Sequence, residues 1–235
     1  MKNNIHEKEI SIESTHIMLK SDLNTDIEKI IKIQRQIITD QINKNPSFTG
    51  YNATEIITQP RILELMTKAG KIAEIGPMSS VAGSISQVCL EHMMTKDTKF
   101  TIIENGGDIA LKTEKNIVLG VYAGNSIFSN QIGLKVKAKK NGYGICTSSG
   151  TVGPSKSFGK TDATIVFSKS ASISDSLATR IGNYGIGNDD EEIVQNALEK
   201  AEDYTEYFDG VIVIKGEQLA KIGHIPKIVG IKEKI

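Results

Sequence analysis

A chain of 235 residues, 39% hydrophobic and 24% charged, is long enough to bury a self-sufficient core and has the composition of an ordinary globular protein. Its 28 basic and 28 acidic side chains cancel, which excludes a global field that would draw it to nucleic acid or anionic lipid. Cys89 and Cys146 form no CxxC motif and no zinc-type pairing with histidine, which excludes a disulfide framework and suits a reducing compartment.

The N-terminal MKNNIHEKEISIE lacks the apolar core of a signal peptide, and no stretch approaches the ~20 apolar residues of a membrane span. A cytoplasmic protein is expected. Ile10 and Ile12 alternate with polar residues and His16 to Leu19 follows, predicting a hairpin. Ile27, Ile30, Ile31, Ile37, Ile38 and Ile42 recur at helical spacing over about 26–43, with Ile33 off the stripe. A second helix is expected from Pro60, a favoured first-turn residue. A third, rich in small residues, is expected over 78–96, where Ala82, Gly83 and Ser84 permit close backbone packing. Phe100 to Ile103 and Asn116 to Tyr122 read as strands. Leu134, Val136 and Ala138 alternate with lysines up to Asn141-Gly142, a hairpin turn signal, with Ile145 on the return strand. The lysines Lys135, Lys137, Lys139 and Lys140 fit the wet face of that ribbon. A homodimer could pair through it.

Thr164 to Phe167 is a further strand. Ser174 is a candidate cap for a helix to about Arg180, with Gly182-Asn183 past its end. Asp189, Asp190, Glu191 and Glu192 suit the positive end of the next helix. Val211 to Ile214 and Lys227 to Ile231 close the chain as strands. Strands follow one another without regular helix alternation, so the expected fold is α+β, with mixed or antiparallel sheets and packed helices. One domain over 1–235 is the simpler organisation, with room for two lobes sharing a core.

Three motifs carry potential chemistry, each beside an ordinary structural reading. Asn105-Gly106-Gly107-Asp108 follows a buried strand; it is either a tight turn or a bend whose amides cradle an anion. Ser148 to Ser155, SSGTVGPS, is dense in hydroxyls and is either a plain loop or a phosphate-binding one. Asp175 and Thr179 share a helix face. They are hard oxygen donors for Mg²⁺, or a first-turn acid and an ordinary polar residue. No GxGxxG fingerprint and no complete GxxxxGK[ST] P-loop is present.

In order, VAGSISQV (81–88), ENGGDIAL (104–111), TSSG (147–150), TDATIVFSKSA (161–171) and SDSLAT (174–179) resemble the ApbE-like superfamily. Its best-known members are FAD:protein FMN transferases, and the likeness is closer to a shorter prokaryotic family within it. The resemblance implies an ApbE-like α+β fold and a pocket for FAD or another phosphate-bearing cofactor or nucleotide. It implies Mg²⁺ at Asp175 and Thr179 with the Ala82 or Gly83 carbonyl, and cofactor contacts at Asn105, Gly106, Gly107, Asp108, Ser149 and Gly150. One departure is clear: the interval GTVGPSKSFGKTDAT (150–164) lacks the family's histidine-bearing segment, although Asp162 stands near its acid. Two functions follow as expectations for a small-molecule ligand. One is a Mg²⁺-assisted transferase or hydrolase, with Asp108 or Asp162 as base. The other is a non-catalytic flavin- or metabolite-binding protein.

Overall fold

The computed structural model describes residues 5–152 and 157–231, so Gly153 to Ser155 of the hydroxyl-rich loop lie outside the described residues. The chain runs β1 (His6–Ile12), β2 (Thr15–Ser21), α1 (Glu28–Lys44), α2 (Arg61–Ala73), α3 (Val81–Met93), β3 (Phe100–Asn105), β4 (Asp108–Thr113), β5 (Ile117–Gly120) and β6 (Ile132–Val136). It continues through β7 (Lys139–Ser148), β8 (Ala163–Ser168), α4 (Ala171–Tyr184), α5 (Asp190–Glu202), β9 (Gly210–Lys215), β10 (Gln218–Gly223) and β11 (Lys227–Gly230). Short 3₁₀ turns at Pro46–Thr49 and Pro77–Ser80 precede α2 and α3.

Eight strands pair in the order β1-β2-β3-β4-β7-β8-β9-β10, and a smaller sheet has the order β11-β6-β5. Every pairing is antiparallel. The fold class expected from the sequence is the one observed.

The alternation of side chains along each strand distributes them between two apolar layers. Ile103, Ala110 and Cys146 face α1, α2 and α3, where Ile31, Met66 and Ile85 are buried. Val166, Val211 and Val213 face α4 and α5, against Leu177, Ile181 and Ala197. Their neighbours Ile165, Phe167, Ile212 and Ile214 point the other way, onto Leu134 and Val136 of the small sheet. With both faces covered, β8 and β9 are continuous apolar runs rather than alternating ones. Ile33, off the stripe of α1, is 46% exposed.

Several expectations are corrected. Asn141-Gly142 does not turn a hairpin. It lies inside β7, where pairing with β4 steps from Leu111↔Tyr143 to Thr113↔Lys139. Gly142 takes φ +86 at that bulge, so the residue pair supplies the left-handed backbone that a bulge needs as much as a turn does. β6 and β7 consequently belong to different sheets. The expected lysine ribbon over 134–146 does not form, and the homodimer reading loses the element it rested on. Ser170, not Ser174, caps α4 by accepting from the Ile173 amide. Gly182-Asn183 sit inside its last turn, and the strand expected over 116–122 narrows to β5. β10 was absent from the sequence reading. Among the described residues no helix is long and apolar enough to cross a membrane.

Candidate functional site

The turn joining β3 to β4 places Gly106 at φ +64 and Gly107 at φ +101, with Asn105 paired to Asp108 across it. Positive φ at both central residues is the geometry of a two-residue hairpin turn, which glycine accepts without strain. The tight-turn reading therefore holds, and the turn also borders a cleft of about 1060 Å³. Gly106, Gly107, Asp108, Ser149, Asp175 and Thr179 all line it. Asn105 and Gly150 do not.

The last two have structural work nearby. Asn105 donates from Nδ2 to the Ala82 carbonyl at 3.4 Å, tying the turn to the start of α3. The Gly150 amide donates to Thr161 O at 2.8 Å, and a Cβ there would fall 2.0 Å from Gly159 O. The amides of Thr151 and Val152 donate to Ser149 Oγ at 3.1 and 3.0 Å. These loop amides are already occupied, so they are not the free anion donors that the sequence suggested.

α3 and α4 approach closely because Gly83 has no side chain: a Cβ would lie 2.6 Å from Ala171 O and 2.8 Å from Asp175 Cβ. Asp175 Oδ2 accepts from the Gly83 amide at 2.8 Å. Gly83 is in the first turn of α3, whose N-cap Ser80 makes no side-chain cap bond. Asp175 thus satisfies an orphan donor of a neighbouring helix and meets its positive end. It is 7% exposed and reaches the cleft with Thr179 one turn further along α4.

Asp108 adds a second carboxylate. Its Oδ1 is buried without a hydrogen-bond partner among the described residues. Burial pushes the Asp108 carboxyl up to about 7, against the opposing pull of the Cys146 thiol and the Thr147 amide, with the charge of Glu104 adding to the rise. Asp175 is pushed well above the usual carboxylate range by burial first and then by the charge of Asp108. Cys146 lies with them, its thiol donating to Ala171 O at 3.2 Å. Burial and the two carboxylates drive that thiol well up, which makes it a poor nucleophile at neutral pH.

Asp162 lines the cleft but is fully engaged. It accepts from the Gly216 amide at 2.8 Å, Lys215 Nζ at 3.2 Å and Thr151 Oγ1 at 2.8 Å. That role fixes the 149–152 loop and occupies both of its carboxylate oxygens. None of His6, His16, His92 and His224 lines the cleft.

The sequence reading missed the aromatic rim. Tyr51 and Phe158 meet edge to face with centroids 5.5 Å apart. Both are largely exposed, as are Tyr122 and Tyr184, and all four line the cleft. Arg180 stands beside Tyr184, 5.0 Å from its ring centroid, and bonds Glu74 at 3.0 Å and Tyr204 at 3.2 Å. Tyr51, Tyr122 and Phe158 occupy irregular segments without apolar periodicity. An exposed aromatic off any stripe was the one available signal.

The family described as AbpE bacteria matches residues 3–225. A UPF0280 protein of Methanosphaera stadtmanae is 58% identical over 231 residues, covering 98% of this chain and 94% of its own. Another, from Methanococcus aeolicus, is 49% identical over 239 residues, covering 98% and 95%. Among solved structures, the apo flavinyl transferase ApbE of Pseudomonas stutzeri superposes with a TM-score of 0.54 at 10% identity, covering 93% of this chain and 94% of its own. The ApbE protein of Thermotoga maritima gives 0.57 at 11%, covering 92% and 96%. At such identities these structures speak for the fold.

Proposed function

The chain belongs to the ApbE-like family described as AbpE bacteria, and from that premise we propose that its cleft binds a phosphate-bearing cofactor of the flavin or nucleotide class together with a divalent cation. The observation that carries this reading is a pair of carboxylates in one cleft, Asp175 buried and Asp108 half-buried with one buried oxygen. Asp108 and Asp175 line one cleft, and Asp108 Oδ1 has no partner among the described residues. Carboxyls held out of water take up a proton or a cation, and a bound cation would let both ionise. Asp175, Thr179 and Asp108 offer hard oxygen donors of the kind Mg²⁺ takes, and the Ala82 carbonyl lies beside the same helix start. When bound, the ion would supply neutralising charge to phosphate oxygens.

The chain's own groups support the rest of the ligand. Exposed faces of Tyr51, Tyr122, Phe158 and Tyr184 suit a planar ring system. The Arg180 guanidinium, which uses Nη2 for Glu74 and Nε for Tyr204, keeps Nη1 as a charged donor for a phosphate. The cleft volume, about 1060 Å³, sits at the large end of small-molecule sites.

A second reading is a transferase or hydrolase acting at the phosphate linkage. One observation favours it: an Asp108 carboxyl poised at about 7 can take or give a proton near neutral pH. Flavinyl transfer itself has less support, since no histidine lines the cleft and Asp162 is tied to Lys215.

Calorimetric titration of FAD with Mg²⁺ and with EDTA tests both readings. Binding is expected to require the metal and to weaken about tenfold or more in Asp175→Asn. FAD that binds equally well in EDTA would overturn the cation assignment, and no binding in either condition would overturn the flavin class. Release of FMN on incubation, read by mass spectrometry, would select the second reading; intact FAD would retain the first.

A further inference from the structure

A second cavity, of about 510 Å³, opens at the far end of β7. Its walls carry Lys135, Lys137, Lys139 and Lys227, set against the single carboxylate of Asp209. The two cavities share no lining residue, although Tyr143 here and Ile145 of the first cleft lie only two positions apart on β7.

The charge arrangement is costly as it stands. Lys135 on β6 and Lys227 on β11 are direct cross-strand partners, and like charges opposite one another destabilise a sheet. Lys139 is compensated: its Nζ is 3.7 Å from Asp209 Oδ2 and 3.4 Å from the Tyr143 ring centroid. Tyr143 donates to the same carboxylate at 2.7 Å. Asp209 is thereby committed, and among the described residues Lys135, Lys137 and Lys227 have no acidic partner. Ile225, Pro226, His224 and Asn116 also line it, while Val136, fully buried, alternates with Lys135 and Lys137 and faces the core. In a chain of zero net charge, three exposed lysines without an acidic partner among the described residues, beside a recess of small-molecule size, describe a receptor for a compact anion.

We propose that this cavity is an anion-binding site for a small organic phosphate carrying two or more negative charges. The phosphate bridges Lys135 and Lys227, Lys137 adds a third cation, and the organic part rests on Ile225 and Pro226. An open recess of about 510 Å³ is of a size that suits a small molecule.

The test uses inorganic pyrophosphate as probe on the isotopically labelled whole chain, in EDTA. Amide shifts should saturate and concentrate at 135–143 and 224–228. Lys135→Gln with Lys227→Gln should weaken binding about tenfold or more, steeply salt-dependent in the native chain, while leaving the rest of the spectrum unchanged. Should that double variant fail to fold, Lys137→Gln alone should still weaken binding measurably. Shifts that do not saturate, shifts confined to 106–108 and 175–180, or undiminished binding in the variants would overturn the site. So would tight binding of duplex DNA or anionic vesicles through the same lysines without saturable pyrophosphate binding.

Discussion

Gly83 sets the distance between two helices, and through it the position of Asp175. Because its absent Cβ would meet the backbone oxygen of Ala171 at 2.6 Å, Gly83→Ala must push α3 and α4 apart. Such overpacking typically costs ~1–3 kcal/mol, and the Gly83–Asp175 hydrogen bond should suffer with it. A lowered urea midpoint together with weakened Mg²⁺-dependent ligand binding is expected; an unchanged midpoint would mean that the helices are not held at contact. Asp108 gives the contrasting case, a residue whose removal should help the fold. Folded, its carboxyl keeps a proton until about 7, whereas its ordinary value is 3.8. A raised folded pKa contributes stability that is present at low pH and is lost as pH rises from about 4 through 7. In EDTA, Asp108→Asn should remove that decline and stabilise the chain at pH 8 by roughly 2 to 4 kcal/mol, with little gain at pH 4. Urea titrations of both proteins at the two pH values decide it, and a difference independent of pH would contradict the buried-charge argument.

At the level of elements, α4 brings Asp175, Thr179, Arg180, Asn183 and Tyr184 to the first cleft, and its start is fixed by Ser170. That hydroxyl accepts from Ile173 N at 3.4 Å and donates to Gln87 Oε1 of α3 at 2.9 Å. Ser170→Ala should cost about 1 kcal/mol, whereas the exposed Ser47→Ala, outside any helix packing on the cleft, should leave cofactor affinity unaltered. Thermal unfolding and FAD titration of the two variants separate a capping role from a general effect of losing a serine. The same helix start marks where sequence patterning runs short. SKSASISD offers a hydroxyl at every second position, and Ser174 is instead buried inside the helix, bonded to Ser168 Oγ at 2.9 Å. Only the position of Gln87, on another helix, selects Ser170. Asn141-Gly142 was misplaced for a related reason: the dipeptide signals a backbone with positive φ, and bulge or turn is decided by which strand lies alongside. The apolar runs of β8 and β9 were plain because burial on both faces leaves a continuous signature. β10 was not, since its edge position leaves most of its side chains partly or fully exposed. The GGD turn and the Asp175–Thr179 face were visible as spacing, while the aromatic rim exists only once distant loops are folded together.

Across the whole molecule, charge that cancels in total is segregated in space. Glu104, Asp108 and Asp175 gather at one cleft, and Lys135, Lys137 and Lys227 at the other. Both sites hang on the eight-stranded sheet, and so do the three apolar clusters: each strand from β3 to β9 in that sheet contributes side chains to a helical layer, to the small sheet, or to both. Exposing either layer strips one face of β8 and β9, whose residues are buried almost end to end. Loss of one layer should therefore remove the other, despite a chain length beyond the usual two-state range. A single cooperative urea transition is expected. Far-UV circular dichroism should coincide with the ¹⁹F signals of fluorotyrosine at Tyr204, in the helical layer, and at Tyr143, between the sheets. If Tyr143 loses its native signal at lower urea than Tyr204, the small sheet unfolds first and the chain is two lobes rather than one unit. Coincident curves would tie the acidic cleft and the lysine cavity to one folding equilibrium. Ligand bound at either site would then raise the midpoint of both reporters together.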